Sequence, residues 1–328
     1  MRPAERVGIV GLGHIGGSLA AALGTSREVV AYDLDPGVRE IASSLLPAEI
    51  LPSLEEVVLC AGSIVVATPT PSVGSTIGEI DRLSGTCGRA PLVMEVASVK
   101  RPFAETIANL HSARYIGLHP MAGREGSGIE SADGAIFAGS RWAILLDGAE
   151  ADWDVAAAAT LAFAAGASAV IGMRVELHDR VVALTSHLPH ALAYALARSA
   201  SESPLFPLAR WMVAGSFRDA TRVALSAASR VAEMLEPNRV ELEEELDRFI
   251  ACLEGLREAV ARGDSKGWLE QAGDGASAPS ATARVSGAQP IGSGELAACL
   301  LTLGESGVAV TAIVANPAGG FELDSASL

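Results

Sequence analysis

Three short polar motifs come directly after apolar, strand-like runs in the first half of the chain. They are Thr68-Pro69 after residues 63–67, Ser98-Val99-Lys100 after residues 92–97, and His119-Pro120 after residues 115–118. Open α/β sheets bind ligands just past the carboxyl ends of their strands. Pro120 favours an extended backbone at His119, which would hold the imidazole at a strand tip. A lone histidine is usually structural, but one placed here, before the glycine-rich residues 122–128, is a candidate general base.

A pair of histidines lies further along, where apolar residues recur at helical spacing. His187 and His190 share one face of this predicted helix, and Pro189 between them is expected to kink it and to free the Thr185 carbonyl. The two imidazoles could line a cleft or could be half-buried groups beneath a helix contact. A metal site is disfavoured, because no carboxylate or cysteine nearby completes a ligand set.

Two arginines, Arg218 and Arg222, follow one helical turn apart, with Asp219 between them. The chain carries a formal net charge of −15, which argues against a nucleic-acid or anionic-membrane surface. An anionic substrate would therefore need a local basic site. Two guanidinium groups on one helix face can bind a carboxylate, although a solvated, salt-bridged helix face has the same pattern.

The elements that must position these residues begin with a glycine-rich turn. Residues 7–33 read as strand, the turn GLGHIG, helix, strand and acid, which is the dinucleotide-binding fingerprint in its required context. Gly11 permits the tight turn, Gly13 lets the backbone approach a pyrophosphate, and Gly16 lets the helix pack against the strand. The helix N-terminus offers N–H groups to the phosphates, and Asp33 can accept hydrogen bonds from the ribose hydroxyls.

The residues after the second strand also indicate which dinucleotide is bound. Asp33 is followed by Leu34, Asp35 and Pro36, with neither Arg nor Lys among them. Two carboxylates there would repel a 2′-phosphate, so NAD is favoured over NADP. The predicted cofactor-binding residues are Gly11, Gly13, His14, Ile15, Gly16, Asp33, Thr68 and Pro69.

The composition is that of a globular protein with two domains. The 328 residues are 49% hydrophobic and 19% charged, which leaves ample chain for two cores. The four widely spaced cysteines suggest neither a disulfide framework nor a zinc site, so we expect a cytoplasmic protein, and because the first residues are polar we expect no signal peptide. The uncharged run 155–173 is near membrane-span length but is mostly alanine, so it predicts a buried helix, a stop at Gly166 and a strand.

Periodicity divides the chain into an α/β part and an all-α part. Val-rich runs that alternate with helical patterns predict a doubly wound, mostly parallel sheet over residues 1–173. Residues 174–272 carry only helical periodicity, and residues 273–283 read as a flexible linker. Residues 284–328 read as strand, helix, strand, turn and strand, which resembles the first half of an ACT regulatory domain. A complete ACT domain needs a further helix and strand.

Taken together, the motifs resemble the prephenate/arogenate dehydrogenase family of tyrosine biosynthesis. The matching stretches are VGIVGLGHIGGSLA at 7–20, SVK at 98–100, HPMAGREGSGIE at 119–130, LHDRVVALTSHLPHALA at 177–193 and GSFRDATRVA at 215–224. They occur in the family's order and spacing over residues 5–225. The resemblance implies an NAD-binding Rossmann domain followed by a helical dimerisation domain, and therefore a homodimer.

The resemblance also assigns the chemistry. His119 matches the catalytic histidine, which accepts the proton of the substrate's ring hydroxyl as hydride leaves the same carbon for NAD. The ring carboxylate is then lost as CO₂ and the ring becomes aromatic. Ser98 matches the serine that orients the hydroxyl beside His119. Since such a base must be neutral, activity should fall as His119 is protonated.

Five further residues match substrate-binding positions of the family. His190 and Arg222 match residues that bind the substrate, and Arg222 would hold a carboxylate. Gly215 and Asp219 match the wall of the same pocket, and Glu125 matches an acid near its mouth. The chain departs from the family after Arg222, where a Pro and a Trp often follow and this sequence continues VALSAAS.

The leading interpretation is NAD-dependent oxidative decarboxylation of prephenate to 4-hydroxyphenylpyruvate, and arogenate is the alternative substrate. A β-hydroxyacid dehydrogenase would share the glycine turn, but that class uses a catalytic lysine on its helical domain and residues 174–261 contain none. A non-catalytic, NAD-binding regulatory protein would not need His119, Ser98 and Arg222 together. Tyrosine as a feedback inhibitor depends on whether the C-terminal segment is a working ACT domain.

Overall fold

The computed structural model describes residues 6–123, 126–272, 283–292, 294–315 and 320–327. Its contacts group the chain into two compact units. The first, the sheet unit, comprises Met1–His178 and Ala281–Leu328, and the second, the helical unit, comprises Asp179–Ser280. Each unit is described by itself.

The described residues of the sheet unit form one sheet of eleven strands in the order β3-β2-β1-β4-β5-β6-β7-β8-β10-β11-β9. In chain order the strands are β1 Arg6–Val10, β2 Val29–Tyr32, β3 Glu49–Ile50, β4 Ala61–Val66, β5 Leu92–Glu95, β6 Arg114–Pro120, β7 Arg141–Leu145, β8 Ala169–Met173, β9 Ala283–Ile291, β10 Val308–Ala315 and β11 Phe321–Ser327. Strands β1 to β6 pair in parallel, and β7 is antiparallel to β6. The predicted Rossmann sheet is confirmed.

The described α-helices in chain order are α1 His14–Leu23, α2 Pro36–Leu45, α3 Leu54–Cys60, α4 Thr70–Cys87, α5 Ala104–Ala108, α6 Asp152–Ala165, α7 Val175–Val182, α8 Leu188–Glu202, α9 Phe206–Ala209, α10 Gly215–Thr221, α11 Ala228–Leu235, α12 Arg239–Arg262, α13 Ser265–Ala272 and α14 Leu296–Glu305. Helices α8 to α13 lie in the helical unit, so the predicted change from α/β to all-α structure is confirmed.

The core of the sheet unit explains the uncharged run before residue 173. Its central strands are apolar on both faces because helices cover both sides of the sheet, and Ile9, Val65 and Val93 are fully buried. Helix α6 is one of the covering helices, and it ends at Gly166 in the left-handed conformation with φ 111°. The predicted buried helix, stop and strand are therefore confirmed. Among the described residues, no helix is both long and apolar enough to cross a membrane.

The sequence predicts that the C-terminal segment forms a module of its own. In the structure this segment instead continues the sheet. Val310 of β10 pairs with Val170 of β8, and β11 and β9 follow outward. Helix α14 lies so close to β8 that a Cβ on Gly304 would be 1.8 Å from the Gly172 carbonyl oxygen. The Asp152 side chain accepts hydrogen bonds from backbone N–H groups at the start of α14. The predicted order of strand, helix, strand and strand is confirmed, while the ACT resemblance stays a prediction.

The first helix of the all-α part contains an irregular turn where the sequence predicts a kink. Residues Ala183–His187 form a π-helical turn between α7 and α8, closed by a hydrogen bond from the Leu188 N–H to the Ala183 carbonyl. Pro189 lies in the first turn of α8, where a missing N–H is tolerated. The helix thus accommodates the proline by widening one turn, a feature that is frequent at functional sites.

Candidate active site

The glycine turn after β1 has the geometry of a pyrophosphate cradle. Gly11 has φ +91°, and a Cβ there would lie within 2.9 Å of the Ala67 backbone. A Cβ on Gly16 would be 1.8 Å from the Gly11 carbonyl oxygen, so both positions require glycine. Gly13 differs, because apart from its chain neighbours no heavy atom of the described residues lies within 4 Å of the place its Cβ would take. The turn is therefore tight inside and open at Gly13, where a ligand could approach the backbone and the N-terminus of α1.

Asp33 is held in place at the end of β2 with acceptor capacity to spare. Its Oδ2 accepts from the Leu12 N–H at 2.7 Å and its Oδ1 from the Asp35 N–H at 2.9 Å. A carboxylate offers about four acceptor positions, so two remain for the hydroxyls of a ribose. The Arg39 guanidinium also donates a hydrogen bond to the Asp33 backbone carbonyl at 2.6 Å.

Two buried polar atoms beside the glycine turn have no hydrogen-bond partner among the described residues: Nε2 of His14 and Oγ1 of Thr68. His14 Nδ1 lies 2.8 Å from the Ser131 carbonyl oxygen, so Nδ1 must be the donor and Nε2 of a neutral ring is an acceptor. Leaving buried polar atoms unpaired is costly. With the open space at Gly13, these two atoms show that the turn fits a bound dinucleotide.

Hydrogen bonds also join the start of α1 to the loop that follows His119. Besides the His14 contact, the Asp133 N–H donates to Ser18 Oγ at 2.9 Å, and that hydroxyl donates to the His14 carbonyl at 2.6 Å. The loop is therefore anchored to the helix that would hold the phosphates. Glu125, which we expected near the mouth of the substrate pocket, lies in this loop but outside the described residues.

His119 lies within the last residues of β6, and not just past its end as we expected. The strand continues because β7 pairs with it there, His119 with Ala143 and Pro120 with Trp142. His119 Nδ1 is 2.9 Å from Nε2 of His178 on α7, and the His178 side chain is buried. The two rings meet edge to face, with centroids 5.1 Å apart.

This histidine pair fixes the direction in which His119 can act. One of the two nitrogens must donate and the other must accept. For His119 to be a base, its Nδ1–H donates to His178, and its Nε2 lone pair then points away from the contact. This tautomer is inferred from the required chemistry. His178 is thus the group that orients the candidate base, in the arrangement by which active-site bases are generally held.

Ser98 follows β5, the strand beside β6, and the residues Glu95 before it and Lys100 after it form a buried ion pair. Lys100 Nζ lies 2.5 Å from Glu95 Oε1, and the two side chains are 1% and 0% exposed. Burial raises the pKa of the Glu95 carboxyl, and the nearby Lys100 ammonium opposes that rise. Because β1, β4, β5 and β6 run in parallel and are neighbours in this order, the glycine turn, Thr68, Ser98 and His119 lie along one edge of the sheet.

The two histidines of the helical unit differ in environment. His187 is fully buried, with Nδ1 3.1 Å from the Asn238 amide nitrogen, and that amide also donates to the Asp179 carbonyl at 2.8 Å. His187 is therefore a structural residue beneath a helix contact. His190 is only partly buried, and its Nδ1 lies 2.8 Å from the Ser186 carbonyl oxygen. Since Nδ1 must donate there, a neutral His190 presents an acceptor at Nε2, and a protonated one presents a donor.

The remaining predicted substrate residues lie on and after α10. Gly215 and Asp219 are exposed on this short helix, and Arg222 is exposed at the start of the 3-10 turn that follows it. Arg218 donates to the Val213 carbonyl at 3.2 Å, so it helps to fix the helix start. The structure therefore places His119, Ser98 and the predicted cofactor-binding residues in the sheet unit, and His190, Gly215, Asp219 and Arg222 in the helical unit.

Residues that the sequence analysis did not assign are His178, the Glu95–Lys100 pair and Arg39. One sequence signal was available for Glu95, a lone charge within the apolar run LVMEVA, since a buried charge requires a partner. His178 and Arg39 gave no such signal, because their partners are distant in sequence or on the backbone. Within the described residues, no group of three His, Cys, Asp or Glu side chains could hold a metal ion.

Comparison with known proteins identifies the family. The prephenate dehydrogenase nucleotide-binding domain matches residues 19–171, and the prephenate dehydrogenase dimerization domain matches residues 174–272. A cyclohexadienyl dehydrogenase of Zymomonas mobilis is 32% identical over 279 residues, which is 81% of this chain and 92% of the relative.

Two solved structures agree with this match. A putative prephenate dehydrogenase from Corynebacterium glutamicum is 30% identical, with a TM-score of 0.69 over 83% of this chain and 85% of that one. A prephenate dehydrogenase from Aquifex aeolicus in complex with hydroxyphenyl propionate and NAD+ is 25% identical, with a TM-score of 0.73 over 82% of this chain and 95% of that one.

The glycine turn, the Rossmann sheet and the helical second unit define a dinucleotide-dependent oxidoreductase. The chain belongs to the prephenate dehydrogenase family. The predicted resemblance is thereby confirmed, and it covers both the nucleotide-binding and the dimerisation domain. The C-terminal segment lies beyond both matched regions.

Proposed function

We propose that the chain catalyses the NAD-dependent oxidative decarboxylation of prephenate to 4-hydroxyphenylpyruvate, a step of tyrosine biosynthesis. The observation that carries this proposal is the His119–His178 pair on the same sheet edge as the glycine turn. A base that is oriented by a buried partner beside a dinucleotide site is what oxidation of a ring alcohol requires. NAD, when bound at the glycine turn, accepts the hydride.

The proton and the carboxylate follow from the same arrangement. His119 Nε2 accepts the proton of the ring hydroxyl, and Ser98 orients that hydroxyl through a hydrogen bond. The carbon–oxygen double bond that forms at this position then accepts electron density through the ring as the bond to the ring carboxylate breaks, and CO₂ leaves. His119 returns the proton to the phenolic oxygen, so the imidazole is neutral again at the end of the cycle.

The substrate's charges are met by residues of the helical unit in this proposal. Arg222 holds a carboxylate through charge-assisted hydrogen bonds, and His190 binds through Nε2. Gly215 and Asp219 form part of the same pocket wall, and Glu125 lies near its mouth. These roles rest on the match of residues 177–193 and 215–224 to the family's motifs.

Arogenate is the second candidate substrate, and it differs from prephenate by an amino group in place of the side-chain keto group. The relative from Zymomonas mobilis is named for the cyclohexadienyl ring, which the two molecules share. In our proposal His119 and Ser98 act on that shared ring, so they serve either substrate.

Steady-state assays of the full-length protein test the proposal directly. NADH formation is measured with NAD or NADP against prephenate or arogenate, with and without tyrosine. We expect turnover of prephenate with NAD, and weaker activity with NADP because Asp33 disfavours a 2′-phosphate. Absence of turnover with either ring substrate and either cofactor would refute the function. Inhibition by tyrosine would support an ACT-like role for the C-terminal segment.

The working form in this proposal is a homodimer. Five large apolar side chains of the helical unit are 66–85% exposed, and we call them the apolar patch: Leu205, Leu208, Trp211, Met212 and Leu225. Exposure of this many large apolar groups within a short segment marks a protein–protein interface. The occupant is a second copy of the chain, since this segment belongs to the matched dimerization domain. A cytoplasmic location also remains part of the proposal, because all four cysteines are described and are free thiols.

A further inference from the structure

The Lys100 ammonium makes three close contacts in the interior of the sheet unit. Its Nζ donates to Glu95 Oε1 at 2.5 Å, to the Ala97 carbonyl at 2.8 Å and to the Leu118 carbonyl at 2.6 Å. An ammonium has three hydrogens to donate, so these acceptors match its capacity. Two of the three are backbone carbonyls, one just past the end of β5 and the other in the last residues of β6.

Those two carbonyls belong to the residues directly before the serine and histidine of the proposed reaction. Ala97 precedes Ser98, and Leu118 precedes His119. The ladder between β5 and β6 ends at the pair Glu95 and Gly117, so backbone pairing does not set the separation of the two chains beyond that point. Lys100 bridges them there.

Glu95 holds the Lys100 ammonium in place. Besides Lys100 it accepts from the Tyr115 hydroxyl at 2.9 Å and from the Ala97 N–H at 2.8 Å. Gly117 makes room for this cluster, since a Cβ there would be 2.9 Å from the Tyr115 hydroxyl and 3.2 Å from Glu95 Oε1. Each polar atom of the carboxylate therefore has a named partner, and the cluster is built into the strand ends.

Stability alone does not account for such a pair. Taking two charges out of water costs so much free energy that well-packed apolar side chains of similar volume often stabilise a protein as well or better. A buried pair that joins the backbone beside two reacting groups is explained more directly by geometry. A displacement of about 1 Å at reacting groups can lower turnover about 100-fold.

We propose that Lys100 is a positioning residue that, anchored by Glu95, fixes the spacing of Ser98 and His119 without contacting the substrate. The inference rests on the proposed function, because it concerns the reaction that these two residues carry out. Lys100 acts through the backbone, so it should influence the rate of the chemical step and not the binding of prephenate or of NAD.

The test removes both charges together, so that no unpaired charge stays buried. In the double variant Glu95→Gln/Lys100→Met, the amide oxygen can take the place of Oε2 and accept from the Ala97 N–H, while the amide NH2 takes the place of Oε1 and donates to the Tyr115 hydroxyl oxygen. We expect kcat with prephenate and NAD to fall about 10- to 100-fold, while KM for prephenate and the dissociation constant of NAD change less than about threefold. The melting temperature is measured on each sample. The matched control is Glu79→Gln/Arg82→Met, which removes an exposed ion pair on α4 and should leave kcat unchanged.

Two outcomes overturn the positioning role. One is a folded double variant with wild-type kcat, and the other is a rise in KM with unchanged kcat. If the double variant does not fold, Tyr115→Phe decides, because it removes one anchor of Glu95 and should lower kcat about threefold or more with KM unchanged; wild-type kcat in this variant would refute the role. Absence of any turnover by the wild-type protein would instead refute the proposed function, so the two failures are distinguishable.

Discussion

The two units of the chain hold most of their proposed functional side chains in different ways. In the sheet unit, Lys100 is buried with three acceptors and His119 is hydrogen-bonded to the buried His178. In the helical unit, Asp219 and Arg222 lie exposed on short helical segments. A side chain is fixed by what packs around it, so the sheet unit is organised before a ligand binds. The helical unit, with its apolar patch, obtains part of its order from the second copy that we propose.

The largest effect on activity should come from a substitution in the sheet unit. In His119→Asn the amide still forms hydrogen bonds but cannot accept a proton from the substrate, so we expect kcat to fall about 10²- to 10⁴-fold. The dissociation constant of NAD, measured by titration calorimetry, should change less than about twofold because the glycine turn is untouched. His111→Asn, which alters an exposed histidine of the same unit, is the control. Unchanged turnover in His119→Asn would exclude His119 as the base.

Much of the sheet unit could be predicted from the sequence, because the sequence signals for its elements are local. The turn GLGHIG, the acid at Asp33 and the apolar runs all follow from residue spacing, and the structure confirms the elements they predict. What could not be predicted depends on contacts between distant residues. Nothing in the sequence indicates that His178 meets His119, or that Lys100 reaches the Leu118 carbonyl.

The extent of the sheet shows the same limit. The C-terminal strands were predicted from their composition, but their pairing with β8 rests on contacts such as Val310 with Val170 and the close approach of Gly304 to Gly172. Pairing partners of strands are set by packing that composition does not encode. The roles of His190, Gly215, Asp219 and Arg222 stay predictions, because they rest on the match to the family's motifs.

The second effect concerns the helical unit. Two charges in the apolar patch, introduced as Trp211→Glu/Leu225→Glu, should be buried unpaired at the interface of the proposed dimer. We expect the variant to sediment as a monomer at concentrations where the wild type is a dimer, and to lose most of its activity. Leu34→Glu is the matched control, since Leu34 is 84% exposed in the sheet unit, and it should stay dimeric. A dimeric Trp211→Glu/Leu225→Glu variant would place the interface elsewhere.

A third effect separates binding from chemistry. Arg222→Ala should raise KM for prephenate about 10- to 100-fold, because it removes charge-assisted hydrogen bonds worth about 1.5–3 kcal/mol, and kcat should stay within about threefold. The KM of Arg222→Lys should lie between those of the wild type and Arg222→Ala, because an ammonium keeps the charge but cannot form the bidentate contact. Arg198→Ala, which removes an exposed arginine paired with Glu202 on α8, is the control. A fall in kcat at constant KM would show that Arg222 acts in the chemical step.

The smallest effect concerns the free energy of unfolding and should be confined to the sheet unit. Asp81 on α4 accepts hydrogen bonds from the backbone N–H groups of His111, Ser112 and Ala113, the last two at 2.7 Å. Burial by itself raises the pKa of the Asp81 carboxyl, but the three N–H donors more than offset it, and the net pKa is lowered. Since Asp81 is partly exposed, we expect Asp81→Asn to cost about 1 kcal/mol in the free energy of unfolding at neutral pH.

The sign of its pH dependence follows from the lowered pKa. A carboxyl that binds protons more weakly in the folded state stabilises the fold above its unfolded pKa of about 4, and this stabilisation is lost as the pH falls through the folded value. The difference between wild type and Asp81→Asn in urea denaturation should therefore be constant near neutrality and shrink below about pH 4. Asp247→Asn, on the exposed face of α12, should show no such difference. A difference that depended on protein concentration would tie Asp81 to the dimer and contradict the contrast between the two units.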